Sequence, residues 1–317
     1  MIIVTGSNGF IGSNLIKTLN SLGFKNILAV DDSTLENQIN ISDCDVEDSI
    51  SIKEFSEKLN KGTLQKKVDY IFHQGACSDT TEWDCDFLLK NNFYFSKDIL
   101  EFCLQNTIPL VYASSASVYG NEGNFKEERE NERPINLYAY SKYIFDQLVR
   151  SNLNKLSSQV VGLRYFNVYG PRESHKKNMA SVAFHMHQQL SKGKDIELFG
   201  EYDGFKAGKQ SRDFIYVDDV IDVNIWFMRN QNASGIFNVG TGKSQTFDEV
   251  ADAVIKWNKK GKISYIPFPE NLKGSYQSYT QADISKLREC GYEKPFRDVQ
   301  SGVKSYLDNF STWPKNE

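Results

Sequence analysis

The run Met1-Ile-Ile-Val-Thr-Gly-Ser-Asn-Gly-Phe-Ile-Gly12 decides the fold. Residues 2–4 are short and wholly apolar, the pattern of a parallel strand buried on both faces. The run breaks at Gly6, turns through Ser7-Asn-Gly9 and resumes at Phe10 with helical spacing. In such a strand–turn–helix one glycine opens the turn, one admits a phosphate to backbone amides, and one lets the helix lie on the strand. The helix N-terminus adds N–H groups and partial positive charge. Glycines at every third position also suit an ordinary turn, so context has to decide. The next apolar strand, Asn26-Ile-Leu-Ala-Val-Asp31, ends in a carboxylate about 20 residues past Gly12, where a ribose-binding acid is expected. Gly6, Gly9, Gly12 and Asp31 therefore predict a bound dinucleotide.

The same alternation continues. Strands are expected over residues 68–73, 110–115 and 160–166, and helices over 10–22, 50–59, 87–106 and from Tyr138 onward. Short continuous strands alternating with helices predict an α/β fold with a doubly wound parallel sheet of the Rossmann kind. The strand at 68–73 breaks into Gln74-Gly-Ala-Cys-Ser78, which puts backbone at the sheet edge where ligands bind. Residues 32–48 read as polar and irregular, part of them expected to fold over the adenosine half of the cofactor. Beyond Gly170 the pattern degrades. A helix is expected over 179–190, a loop over 200–210, a strand over 213–217, helices near 219–229 and 247–259, and a strand over 263–266. Residues 1–169, with segments returning near 213–242, form the expected dinucleotide-binding domain. Residues 170–212 and 243–317 form most of a smaller, mixed α/β substrate domain.

Composition narrows the partners. The 317 residues carry a net charge of −4 and no basic stripe, which argues against nucleic acid. No stretch approaches the roughly 18 apolar residues of a membrane span, and a first strand at residue 2 leaves no room for a signal peptide. The five cysteines are odd in number and form no C-x-x-C pair. They read as reduced thiols of a cytoplasmic protein, with no metal site.

Tyr138-Ala-Tyr-Ser-Lys142 opens an apolar-periodic helix, so Tyr138 and Lys142 lie one turn apart on one face. A phenol titrates near 10 and is a poor base at neutral pH. A neighbouring ammonium and an oxidised nicotinamide would lower that value and make it a base for a sugar hydroxyl. Tyr140 competes for the role, but only Tyr138 has the lysine four residues on. Ser114-Ser115 ends a strand at the ligand edge, where a hydroxyl can bond the same substrate oxygen. Arg212, just before a strand at that edge, suits a pyrophosphate, which a guanidinium grips with two hydrogen bonds.

The glycines, Ser115 and Tyr138/Lys142, in this order, resemble the extended short-chain dehydrogenase/reductase superfamily. Ser114-Ser-Ala-Ser-Val-Tyr-Gly120, Arg164-Tyr-Phe-Asn-Val-Tyr-Gly-Pro-Arg172, Arg212-Asp-Phe-Ile-Tyr-Val217 and Phe237-Asn-Val-Gly-Thr-Gly242 agree over essentially the whole chain. So do Asp283-Ile-Ser-Lys-Leu287 and Gly291-Tyr-Glu-Lys-Pro295, which look like the closing helix of the nucleotide-sugar branch. His73-Gln-Gly-Ala-Cys-Ser78, Thr80-Thr-Glu-Trp-Asp84, His175-Lys-Lys-Asn-Met-Ala-Ser-Val-Ala-Phe-His185 and Lys273-Gly-Ser-Tyr-Gln277 are most similar to the ADP-L-glycero-D-manno-heptose 6-epimerase family.

That resemblance implies a nucleotide-sugar epimerase of lipopolysaccharide core precursor synthesis, a homo-oligomer holding NADP. It makes Lys176 a second acid/base opposite Tyr138. Substrate positions implied are Asn167, Asn178, His185, Phe199, Gly200, Glu201, Tyr202, Arg212 and Tyr276. Cofactor positions implied are Phe10, Ile11, Asp31, Asp32, Lys53, Gln74, Gly75, Ala76, Cys77, Ser78, Asn91, Lys142, Val168 and Lys176. Two departures keep alternatives open. Residues 32–38 offer no cation for a 2′-phosphate, leaving Lys53 as the first candidate, and Asp31 favours NAD on electrostatics. A UDP-hexose 4-epimerase needs only the Ser/Tyr/Lys set. A dehydratase fits less well, since Ala116-Ser117 stands where that group has Asp-Glu. A non-catalytic dinucleotide sensor would need no general base.

Overall fold

A computed structural model describes residues 1–32, 38–64, 67–121, 123–274 and 276–310. In chain order the elements are β1 (Ile2–Thr5), α1 (Phe10–Ser21), β2 (Ile27–Val30), β3 (Asp48–Ile50), α2 (Ile52–Lys61), β4 (Tyr70–His73), α3 (Cys85–Leu88) and α4 (Phe95–Asn106). Then come β5 (Leu110–Ser115), α5 (Leu137–Asn152), β6 (Val160–Tyr165), β7 (Asn167–Tyr169), α6 (Val182–Ser191), β8 (Ile196–Phe199), β9 (Ser211–Arg212) and β10 (Phe214–Tyr216). The chain closes with α7 (Val217–Arg229), β11 (Gly235–Val239), β12 (Gln245–Thr246), α8 (Phe247–Asn258), β13 (Ile263–Ile266), α9 (Ser285–Glu289) and α10 (Val299–Phe310).

The central sheet has seven strands in the order β11-β6-β5-β4-β1-β2-β3, a Rossmann arrangement extended by one strand. Strand order reverses between β1 and β4, the crevice where such sheets bind ligands. β1 pairs in parallel with both β2 and β4. Its four residues are buried, which is why the run could be wholly apolar. The core packs Ile3, Val30, Ile71, Leu110 and Val160 of the sheet against Phe55, Phe95, Ile99 and Phe145 of the helices.

Several boundaries differ from the sequence reading. The helix expected from residue 50 starts at Ile52, because Ile50 pairs with Val30 in a short strand and Ser51 caps the helix, accepting from the Glu54 amide. Residues 38–41 form a 3-10 turn, so the segment expected to be irregular is partly ordered; residues 33–37 lie outside the described residues. The helix expected from residue 87 starts at Cys85 under an Asp84 cap and carries a π-helical turn, Leu89–Tyr94. The helix expected from residue 179 begins at Val182, where the Ser181 side chain accepts from Phe184 N–H. The strand expected at 213–217 shortens to 214–216: the Asp213 carboxylate accepts from the amides of Thr241, Gly242 and Ala282 at 2.7–3.0 Å, and Val217 opens α7. The last described helix, α10, was not expected, although Val299, Val303, Tyr306 and Leu307 are buried at helical spacing.

Two compact units emerge. One comprises residues 1–118, 136–164 and 221–237; the other comprises 119–135, 165–220 and 238–317. In the second, β10 pairs in parallel with β7, β13 with β8, and β12 antiparallel with β9.

Candidate active site

In the first unit the glycine turn is as tight as its sequence implies. Gly6 has φ +65°, and a Cβ there would lie 2.6 Å from the Gly75 nitrogen. One at Gly12 would lie 2.0 Å from the Gly6 carbonyl oxygen. The loops after β1 and β4 thus meet backbone to backbone, with the Gly75 amide donating to Thr5 Oγ1 at 3.2 Å. Gly9 caps α1 without any side-chain cap, and no acidic residue lies in the first turn. Phe10 is buried and Ile11 half-buried. Asp31, just past β2, accepts from the amides of Asn8 (2.8 Å) and Asp32 (2.9 Å). Burial raises its carboxyl above the usual range, and those amides oppose the rise. The fully buried Ser7 hydroxyl has no hydrogen-bond partner among the described residues. A side-chain-free cradle, an uncapped helix start, a strand-end carboxylate and a buried hydroxyl left over fit a dinucleotide. Asp32 and Lys53 are both exposed.

The loop after β4 is held by a residue the sequence reading passed over. Asn92 accepts from Cys77 N–H (2.8 Å) and donates to Cys77 C=O (3.0 Å) and Ser141 Oγ (3.0 Å). Asn91, the cofactor position the resemblance implies, donates to Phe87 C=O within its own helix at 2.8 Å. The π turn is what brings Asn92 inward, and π turns carry little sequence signal. Gln74 donates to Asn224 at 3.2 Å. Gly75 is buried, Ala76 and Cys77 half-buried, and Ser78 exposed. His73 is locked between Thr5 Oγ1 (2.6 Å) and Ser96 Oγ (2.7 Å). Burial first, then the Lys142 charge, lowers its pKa to about 3.

Helix α5 opens with Asn136 accepting from the Ala139 amide. It presents Tyr138, Lys142 and Asp146, four residues apart on one face. The Tyr138 hydroxyl is hydrogen-bonded to Ser115, so that pair is brought together. Tyr140 is 49% exposed whereas Tyr138 is 9% exposed. The expected lowering of the Tyr138 phenol is not a property of the protein alone. Burial pushes it up, against the Ser115 hydrogen bond, and the Lys142 ammonium donates to the Ala113 carbonyl at 2.9 Å. Burial lowers the Lys142 pKa to about 8, Asp146 opposing. Asp146, fully buried, accepts from Tyr112 Oη, Ser114 Oγ and Arg164 Nε, each at 2.9 Å. A second Arg164 contact, Nη2 at 2.8 Å, completes the pair.

The second unit gathers another group of the chosen residues. Arg212, buried, is hydrogen-bonded to Tyr276 and lies 5.0 Å from its ring. Phe199, Tyr202 and Tyr276 cluster around Phe268, which the sequence reading missed; Tyr202 stacks on Phe268 at 3.9 Å and Tyr276 meets it edge-on at 5.2 Å. A buried guanidinium beside packed rings can take a phosphate and a flat base. Gly200 donates to Ile266 C=O at 2.7 Å, and Glu201 is exposed. Val168 and Asn167 lie on β7, Asn167 exposed. His185 is half-buried on α6, and Asn178 is exposed. Lys176 is half-buried; its pKa is lowered by burial and raised by Glu173. Lys177, next to it, holds φ +50° and ψ −120°. A cavity of about 780 Å³ in this unit, lined by Phe125, Lys243, Tyr279, Arg288 and Phe296 among others, includes none of the chosen residues. No group of acids, histidines and cysteines able to hold a metal occurs among the described residues. No helix among them is long and apolar enough to cross a membrane.

Comparison with known proteins agrees with this geometry. The model of the NAD dependent epimerase/dehydratase family matches residues 2–240. Among solved structures, the chain is similar to ADP-L-glycero-D-manno-heptose-6-epimerase of Helicobacter pylori, with 32% identity, TM-score 0.83, and 98% of this chain and 96% of that one covered. It is also similar to UDP-N-acetylglucosamine 4-epimerase of Methanobrevibacter ruminantium, solved with UDP-N-acetylmuramic acid (26%, TM-score 0.84, 98% of each chain). A third is UDP-glucose 4-epimerase of Thermus thermophilus, solved with NAD (26%, TM-score 0.80, 98% of each). With the fold, the glycine cradle and the Ser115–Tyr138–Lys142 set in place, the chain belongs to the NAD dependent epimerase/dehydratase family, as a nucleotide-sugar epimerase of the short-chain dehydrogenase/reductase type.

Proposed function

We propose that the chain inverts C6 of ADP-D-glycero-D-manno-heptose to give ADP-L-glycero-D-manno-heptose, acting in the cytoplasm as a homo-oligomer that supplies lipopolysaccharide core precursor. The observation that carries this reading is a second amine, Lys176, half-buried beside Glu173 in a loop with a strained neighbour. The chain already has the Ser115, Tyr138 and Lys142 that a one-base epimerisation needs. The 32% identity with the H. pylori enzyme supports it.

The carbon to be inverted is not adjacent to a carbonyl, so its proton cannot simply be removed. The nicotinamide, when bound, supplies the hydride acceptor and returns the hydride. Tyr138 takes the hydroxyl proton as the sugar is oxidised, with Ser115 orienting the oxygen and Lys142 supporting the phenolate. Once the ketone has turned its other face, its oxygen no longer meets Tyr138, and Lys176 delivers the proton. The net reaction is redox-neutral. Arg212 and Tyr276 hold the diphosphate, and Phe199, Tyr202 and Phe268 flank the base.

The cofactor reading is NADP, with Lys53 meeting the 2′-phosphate. One observation favours NAD instead: Asp31 and Asp32 are adjacent carboxylates beside the expected ribose position. NMR of purified protein with ADP-D-glycero-D-manno-heptose, UDP-glucose or UDP-N-acetylglucosamine, after identification of any cofactor that co-purifies, tests both readings. Conversion of a UDP-hexose with none of the heptose would replace the substrate assignment.

A further inference from the structure

Glu173 lies at the start of the loop that carries Lys176 and Asn178. It is 1% exposed; burial raises its carboxyl, and the Lys176 charge and the hydrogen bonds it accepts oppose the rise. Oε1 takes the Gly170 amide (3.2 Å) and Ser181 Oγ (2.7 Å); Oε2 takes the Ser181 amide (2.6 Å). Tyr306, from α10, adds its hydroxyl. The bonds come from the turn after β7, the cap of α6 and the last helix, so three elements converge on one carboxylate. Lys176 is tied to the same residue, its amide donating to Glu173 C=O at 3.0 Å, and Glu173 is the charge that acts on its ammonium.

A carboxyl needs neither burial nor four donors to cap α6, since Ser181 already does so. Burying a carboxylate is costly unless a charge answers it, and the Lys176 ammonium, three residues on in the same 3-10 turn, is the charge that acts on it. We infer that Glu173 is a positioning residue that keeps Lys176 in its ammonium form and holds it in place, making Lys176 the proton donor of the pair and leaving Tyr138 the acceptor. This rests on the proposed role of Lys176.

Among the described residues, these groups face the pair. From α10 comes Tyr306, whose phenol Glu173 pushes well above its ordinary range, burial being the larger cause. From β10 comes Tyr216, which acts on Tyr306. Arg172, also buried, precedes Glu173 in the chain. His175 and Lys177 flank Lys176. Burial draws the Lys176 amine down and Glu173 holds it up, so removal of the carboxylate leaves only the lowering cause.

The test is competitive acetylation of intact protein with acetic anhydride over a pH series, read at Lys176 by peptide mass spectrometry, with Lys177 as the internal reference. In Glu173→Gln the Lys176 midpoint is expected to fall by about one pH unit or more, a tenfold change in its protonation constant, while Lys177 stays put. Glu173→Asp should restore most of the difference. The alkaline limb of kcat should move with the midpoint. A purely structural Glu173 would lower activity by one factor at all pH values and leave the Lys176 midpoint unmoved, which overturns the inference. If Glu173→Gln does not fold, Lys176→Met decides: it should lose more thermal stability at pH 8 than at pH 5, relative to Lys177→Met, because a buried carboxylate is left unanswered. Equal losses at both pH values count against the pair. Full turnover in Lys176→Met would instead remove the functional reading, and the labelling would still report whether Glu173 and Lys176 are coupled.

Discussion

At the scale of the residue, chemistry and stability make separate predictions. Tyr138→Phe should lose about 10²–10⁴-fold or more in kcat, the range of a lost general base, with folding and cofactor content retained. Lys176→Met should be similarly impaired on a heptose substrate, and near-normal turnover in both would falsify the assigned roles. His73 tests the buried frame beneath them. Its pKa is lowered from 6.5 to about 3 inside the fold, so the unfolded chain takes up the proton first as pH falls. The stability contribution is fully present above about pH 6.5 and is lost progressively down to about pH 3. Thermal melts of His73→Gln should show a flatter pH dependence over that window than the parent, whatever the absolute Tm.

The elements show where the sequence was legible. The stretch through Gly6, Gly9 and Gly12 could be read because a strand buried on both faces leaves an unbroken apolar run and a phosphate cradle tolerates no side chain. Tyr138 and Lys142 could be read because helical spacing alone puts them on one face. Asn92 could not, because it depends on a π turn that shifts helical register without any marker residue. Phe268 was lost for another reason: it stacks on Tyr202 from a distant segment, and one aromatic looks like any other core residue. Asp146 went unread although it continues the Tyr138–Lys142 spacing by one more turn. It binds β5 and β6 to α5 through Tyr112, Ser114 and Arg164. Asp146→Asn should therefore cost about 3–5 kcal/mol, since the buried Arg164 loses its carboxylate partner. Replacing both by apolar residues of like volume should recover much of that loss in urea unfolding.

At the scale of the whole molecule, the doubly wound sheet followed from the alternation of strands and helices, and the family from the motifs placed on it. The second unit was harder, because its strands are two to four residues long and pair in three separate two-stranded ladders. So short a strand gives no periodicity to count. Cofactor choice is a property of the whole fold and can be read that way. A ligand that binds only the folded state raises stability by RT ln(1 + [L]/Kd), about 2.7 kcal/mol at a hundred times Kd. Cofactor-stripped protein should show a larger rise in Tm with NADP than with NAD at equal concentration. The reverse order would assign the ribose site to Asp31 alone.

Lys177 carries one more consequence. A side-chain-bearing residue at φ +50° and ψ −120° sits where only glycine rests easily, at a cost of order 1–3 kcal/mol. Lys177→Gly should therefore give a hardier protein, its Tm rising by a few degrees on relief of that strain. Should the hardier variant turn over more slowly, the awkward backbone is a tension the enzyme keeps because its working loop needs it; should it turn over as before, the position is a ready handle for engineering.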